Sequence, residues 1–187
     1  NLHRMSSHIE SGHLTGVDYA KTSVETSRQT NADDIAAGKM TVCEGSVEAL
    51  PFSDDAFDKI TTVESFYFWP NPPENLKEVR RVLKQGGTFL LNTIFDGEEL
   101  VNFIPNKVKR YFAKHNIKVY YINATKIGQE IGLGNRTNTI LQSAFFRITQ
   151  VIPTDLAVTQ MKAFIVKSYG KKGEDIVNMN YAAVDAG

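Results

Sequence analysis

The chain reads as an α/β protein: a mostly parallel sheet with helices on both faces, ending in a C-terminal antiparallel hairpin. Three observations predict this. Short β-type runs alternate with helical stretches through the first half, at a spacing that suits strand–helix–strand units. Thr88 to Ile94, with Phe89, Leu90 and Leu91 in succession, reads as an apolar strand of the buried, parallel-sheet kind. Phe146 to Ile152 and Met161 to Ser168 are strand-like and separated by a loop holding Pro153, with no room for a helix between them. That spacing predicts an antiparallel pair.

Each element has its local reason. Leu14 to Asp18 is a short β-type run ending in an acid, and Ala20 to Ala37 then predicts a helix that Gly38 stops. Met40 to Cys43 is a second strand, closed by Gly45. Phe57 to Val63 is a third, centred on Ile60 and Val63. In Glu74 to Gln85, Leu76, Val79 and Leu83 share one helical face, and Gly86-Gly87 end the helix before the strand from Thr88. Gly97 to Lys118 is helical in part with a basic face, and Thr125 to Gly134 is a further helix. Gly170 to Gly187 shows no clear period, so fraying is expected there.

Composition narrows the function classes. A length of 187 residues suits one domain, 1–187. Lys plus Arg equals Asp plus Glu, for a formal net charge of zero, whereas nucleic-acid binders usually carry a basic excess. Cys43 is the single cysteine, which fits a reducing compartment, and no signal-type apolar core opens the chain. A cytoplasmic location without membrane insertion is therefore expected. His3, His8, His13 and His115 lack metal-ligand spacing, so no metal site is expected.

The acid that ends the first run is the first chemical clue. Ligands of open α/β sheets sit beyond the carboxyl ends of strands, and a carboxylate can accept both hydroxyls of a ribose. Asp18 suits that task, and it equally suits capping the helix that follows. Gly45-Ser46-Val47-Glu48-Ala49-Leu50-Pro51-Phe52 lies 27 residues further on, after the second strand. Phe57-Asp58 opens the third strand, and Arg81-Val82-Leu83-Lys84 leads to Gly86-Gly87. Each is weak alone; their order and spacing together are specific.

Residues 13 to 94 carrying these motifs resemble the small class I methyltransferases that bind S-adenosylmethionine, a Rossmann-like family. His13 to Ala20 resembles that family's second strand and ribose-binding acid. Gly45 to Phe52 resembles its adenine-side loop, Phe57-Asp58 the start of its fourth strand, and Arg81 to Gly87 its helix before the fifth. The likeness loosens after residue 95, where Ser143-Ala144-Phe145-Phe146 is matched only to a turn before the family's final strands. It implies a cofactor-binding half, 1–94, and an acceptor-side half with the hairpin, 95–187. It also implies residue roles: Asp18 on the ribose, Tyr19 against the adenine, and Ser46 in place of the family's usual Asp. Val47 would offer its backbone N–H to the ring, and Thr62, Val63 and Glu64 would face the sulfonium and methionine end. Glu64 reads equally as a solvated or capping acid.

The family's Gly-x-Gly cofactor loop and first strand belong upstream of the run at Leu14, where only Asn1 to Gly12 stand. The resemblance therefore implies a chain short of that strand and loop, with weak or absent cofactor binding. The strands ending at Asp18 and Val63 would then face a gap of roughly 9–10 Å, two strand spacings.

Ser65 to Glu74 follows the third strand, where the family places acceptor-facing residues. Tyr67 and Trp69 are candidate walls of a substrate pocket, while Phe66 and Phe68 read as packing aromatics. Asn71-Pro72-Pro73 is similar to a motif of nucleic-acid amino-methyltransferases, but Glu74 stands where the stacking aromatic belongs. Asn71 as a helix cap with prolines in the first turn is the simpler reading. Lys107, Lys109, Arg110, Lys114 and Lys118 around Tyr111 and Phe112 read as a solvated helix face.

The expected activity is methyl transfer from S-adenosylmethionine to a small-molecule acceptor, with no obligatory catalytic base, no nucleic-acid partner and no metal. Two alternatives stay open here. One is an inactive fragment or binding module of the same fold. The other is an NAD-dependent oxidoreductase, since Asp18 suits a dinucleotide ribose as well. Against the latter, no tyrosine is followed by lysine four residues later.

Overall fold

The computed structural model describes residues 2–6, 12–63, 65–95, 97–150 and 152–187. They fall into two compact units, Asn1–Phe52 and Ser53–Gly187.

In the first unit, helix α1 (Leu2–Ser6) precedes strand β1 (Leu14–Asp18), helices α2 (Lys21–Thr30) and α3 (Ala32–Ala36), and strand β2 (Met40–Glu44). β1 and β2 pair in parallel, Leu14 opposite Met40 and Asp18 opposite Glu44. The core here is small: Val24, Met40 and Val42 are buried, with Leu2, Leu14 and Ile35 packed against them. The predicted helix from Ala20 to Ala37 is interrupted at Asn31, whose amide nitrogen donates to the Ser27 carbonyl at 2.6 Å. An asparagine side chain that competes for helical carbonyls favours such a break.

In the second unit, strand β3 (Phe57–Thr61), helix α4 (Pro72–Val82), strand β4 (Leu83–Asn92), helices α5 (Gly97–Phe103) and α6 (Asn106–Lys114), and strand β5 (Lys118–Ile122) form a three-stranded sheet with its flanking helices. The order is β3-β4-β5, and both pairings are parallel. α4 starts at the Pro72-Pro73 pair predicted to sit in its first turn, and the Asn71 N–H donates to the Asn75 side chain at 3.0 Å. Helix gives way to strand at Leu83, earlier than the Gly86-Gly87 stop predicts. Gly86 instead takes φ +74 inside β4, and the register against β3 slips between Phe57 and Lys59. Glycine tolerates that left-handed geometry.

The expected C-terminal hairpin is not formed. Helices α7 (Ala124–Glu130), α8 (Asn138–Thr149), α9 (Thr154–Tyr169) and α10 (Glu174–Ala186) complete the unit. Phe146 to Thr149 ends α8, and Met161 to Ser168 lies inside α9. Phenylalanine, isoleucine and valine favour strands only as far as their surroundings reward it. Here burial on neighbouring helices wins: Ile140, Leu141, Ala144, Phe145 and Phe146 of α8 are buried, and Ala157, Met161 and Ile165 of α9 repeat every four residues. The tail is likewise ordered. In α10, Ala183 and Val184 are fully buried, and the Ser143 hydroxyl donates to the Val184 carbonyl at 2.6 Å. Its buried residues, Asn180, Ala183 and Val184, include only one large apolar side chain, which hides the helix's period from a hydrophobicity reading. β5 was also outside the predicted elements, although Val119, Tyr120, Tyr121 and Ile122 are strong strand formers.

Candidate functional site

The carboxyl ends of β1 and β2 bring four of the predicted residues together. The parallel register sets Asp18 opposite Glu44, and the Gly45 N–H donates to the Asp18 carbonyl at 3.0 Å. That bond carries the chain into a tight turn. Ser46 bridges Ala49, whose N–H donates to the Ser46 carbonyl at 3.1 Å, so Val47 and Glu48 form the tip. Gly45 has a steric reason: an added Cβ would lie 2.9 Å from Pro51 Cδ and 3.0 Å from Val17 Cγ1.

Asp18 is not the cap of α2, whose N-cap is Ala20, because it stands too early in the turn that leads to the helix. Its Oδ1 accepts the Ala20 N–H at 2.9 Å, which tethers the turn into α2. Among the described residues Oδ2 has no hydrogen-bond partner, and the side chain is exposed. Tyr19 beside it is 77% exposed. The Val47 N–H likewise has no partner among the described residues. An open carboxylate oxygen, an open backbone donor and an exposed ring are the groups an adenosine needs for its ribose, base edge and base face. The residues present thus fit the adenosine half of S-adenosylmethionine.

Ser46 is more occupied than the sequence suggests. Its hydroxyl accepts the Glu48 N–H at 3.2 Å and lies 3.3 Å from Glu48 Oε2, so Glu48 belongs to the site's polar edge. The signal was available: a serine two residues before a polar residue is a local side-chain-to-backbone turn pattern. Beneath the strands, burial raises the Cys43 thiol above its ordinary pKa, and the Arg28 charge opposes that rise. Arg28 itself donates to the Val42 carbonyl at 2.8 Å. It lines a shallow recess with Ile35, Met40 and Val42 that contains none of the predicted site residues.

The other candidates lie in the second unit. Thr62 is buried, and its hydroxyl accepts the Asn92 N–H at 3.0 Å. Val63 packs against the cluster of Ala124, Leu133, Ile140, Leu141 and Ala183. Glu64 lies outside the described residues, as does the side chain of Tyr67. Trp69 is half-buried and meets Phe66 edge-on, ring centroids 5.0 Å apart. Of the two packing aromatics, Phe66 is 1% exposed and Phe68 is 71% exposed. In the basic segment, Val108 and Phe112 turn inward while Lys107, Arg110, Lys114 and Lys118 face water. The Arg80 guanidinium stacks 3.5 Å over the Tyr111 ring, and His115 stacks against the same ring.

A methyltransferase-domain family model matches residues 2–91, the stretch that holds β1, the turn at Ser46 and the strands up to β4. A second likeness is of another kind. The pyruvate:ferredoxin oxidoreductase of Moorella thermoacetica is 53% identical over 103 residues, 55% of this chain but 9% of that protein. The chain thus spans about a tenth of the length of the curated relatives it matches. Two solved structures share a looser likeness. Pyruvate oxidoreductase subunit PORC of Thermotoga maritima is 19% identical, with TM-score 0.46 over 68% of this chain and 59% of that one. A Methanococcus maripaludis protein described as an S-adenosyl-L-methionine-dependent methyltransferase is 22% identical, with TM-score 0.41 over 73% and 55%. Among the described residues, no helix is long and apolar enough to cross a membrane.

Proposed function

We propose that the methyltransferase domain binds the adenosine half of S-adenosylmethionine at the β1/β2 strand ends and serves methyl transfer to a small-molecule acceptor. The observation that carries this reading is the exposed Asp18 carboxylate at the end of β1, one hydrogen bond from the Gly45 turn that leads to Val47, within the stretch that the methyltransferase-domain family model matches. When bound, the cofactor supplies the electrophilic methyl, and the protein's part is proximity and alignment. Asp18 holds the ribose, Val47 the base edge, and Tyr19 covers the base. Isothermal titration of S-adenosylmethionine into the chain should show binding that Asp18→Ala weakens at least tenfold. Unchanged binding by Asp18→Ala would overturn the site.

A second reading has its own observation. A 103-residue match within 187 residues necessarily includes residues 85–103, and the first unit, Asn1–Phe52, is far too short to hold it. Placed to overlap residues 2–91 least, the match runs from Gln85 to Gly187. On this reading the chain is composite: a methyltransferase stretch joined within β4 to a pyruvate-oxidoreductase-type segment. Residues 95–187 are then not the acceptor side of the methyltransferase. Replacing the corresponding segment of the Moorella enzyme by Gln85–Gly187 should preserve pyruvate oxidation. Loss of assembly in that graft would sink the composite reading.

A further inference from the structure

Two adjacent arginines of α4 are used very differently. Arg81 is well paired: it donates to the two Glu78 carboxylate oxygens, each at 2.8 Å, and to Asp54 at 2.9 Å. Arg80 has no acceptor among the described residues, and its Nε is buried without a partner. Its guanidinium instead sits on the Tyr111 ring of α6, with Cζ 3.5 Å from the ring centroid. At that distance the group must lie nearly flat, since an edge-on approach would drive a nitrogen into the ring. The His115 ring stacks on Tyr111 as well, centroids 3.9 Å apart. The two cannot share one face at such separations, so Tyr111 is held between them. Buried Val108 and Phe112 anchor α6 beneath. A guanidinium lying on a ring keeps its N–H donors in its own plane, directed past the ring. A buried donor without a partner, on a permanent cation, points to an acceptor that the chain itself does not supply.

The surroundings carry charge of one sign. No acid occurs between Glu99 and Glu130, a stretch that holds Lys107, Lys109, Arg110, Lys114, Lys118 and Lys126. Lys107 stands four residues before Tyr111 and Lys114 three after it, so both share its flank of α6, and both are exposed. The acids of α4 are committed elsewhere, Glu74 to Lys77 and Glu78 to Arg81. We propose that Arg80, held on Tyr111 and flanked by Lys107 and Lys114, binds the phosphoryl group of a small phosphorylated ligand, of the pyrophosphate-ester class. Two in-plane N–H groups match two oxygens of a phosphoryl group, and the stack sets the fork before the ligand arrives. A lone carboxylate would meet the same fork but carries one charge, fewer than Arg80 and the two lysines together can balance. The site involves only α4 and α6 and does not depend on the adenosine site at β1 and β2.

The test titrates inorganic pyrophosphate into the 187-residue chain by calorimetry at fixed ionic strength. The expected result is a submillimolar Kd. Arg80→Gln removes the cation, and Arg80→Lys keeps the charge but loses the fork; each should weaken binding at least tenfold. Lys107→Ala/Lys114→Ala should weaken it several-fold and make it less sensitive to salt. Arg80→Lys retains an apolar stem over Tyr111, so it decides the matter if Arg80→Gln lowers the circular-dichroism melt. Absence of binding at about 1 mM pyrophosphate would overturn the proposal. Equal binding by Arg80→Lys would do so too, because it would show a diffuse positive surface in place of a fork. A short single-stranded oligonucleotide that displaces pyrophosphate, and is itself lost in Arg80→Lys, would assign the face to nucleic acid and likewise overturn the small-ligand site.

Discussion

Both units end parallel strands in polar residues, yet only one leaves those residues open. At the ends of β1 and β2, Asp18 Oδ2 and the Val47 N–H have no partner among the described residues. At the ends of β3 and β4, the polar groups answer one another. Thr62 accepts from Asn92 N–H, the Asn92 side-chain oxygen accepts from Ala124 N–H at 3.3 Å, and Thr93 Oγ1 accepts from Phe95 N–H at 3.2 Å. Thr62, Asn92 and Thr93 are all buried. The position beyond a strand's carboxyl end is thus a place where a ligand can sit; unspent hydrogen-bonding capacity makes it a site.

The sharpest way to break this contrast is to disturb the closed set. Asn92→Ala removes a buried acceptor for Ala124 N–H and should cost about 2–3 kcal/mol, read as a lower urea midpoint. Thr62→Val should act in the same direction with a smaller cost. A loss below about 0.5 kcal/mol in both would show that these groups are not the structural ties described. Next is Asp18→Ala, expected to weaken adenosine binding at least tenfold, the size of one charge-assisted hydrogen bond, while costing only about 1 kcal/mol of stability through the lost Ala20 tether. Ligand-observed NMR with adenosine reads the first effect and urea unfolding the second.

Smaller effects sharpen the picture. Ser46→Asp restores the acid usual in the methyltransferase family and should tighten adenosine binding several-fold, about 1 kcal/mol, provided Glu48 yields the position. No gain in the NMR titration would mean that Glu48 controls this edge. Least of all, the raised Cys43 pKa predicts a thiol that ionises at higher pH folded than unfolded. Its contribution to stability is full below the unfolded thiol's pKa and declines as pH rises through the folded value. Iodoacetamide alkylation followed against pH should show its midpoint displaced upward in the folded chain, and further upward in Arg28→Gln.

Legibility in the sequence followed the range of the interactions. Asp18, Gly45 and Ser46 could be read because a strand, its turn and the next strand are local and carry their own residue chemistry. The start of α4 could be read because proline tolerates only a helix's first turn. The hairpin expectation failed because Phe146, Ile165 and Val166 suit strand and helix alike in a short apolar run. Glu48 was legible by the same rule, because the Ser46 turn spans only two residues, yet it was not read.

From the residues alone came the alternation of strands and helices, the parallel pairing and the acid beyond β1. These rest on backbone sterics, side-chain period and turn chemistry, which act within a few residues. Only the tertiary structure decided that α8, α9 and α10 are helices, that the Thr62 hydroxyl accepts the Asn92 N–H, and that the Asn92 side chain accepts the Ala124 N–H. Those outcomes depend on what each side chain meets from distant parts of the chain, and burial there outweighs local preference.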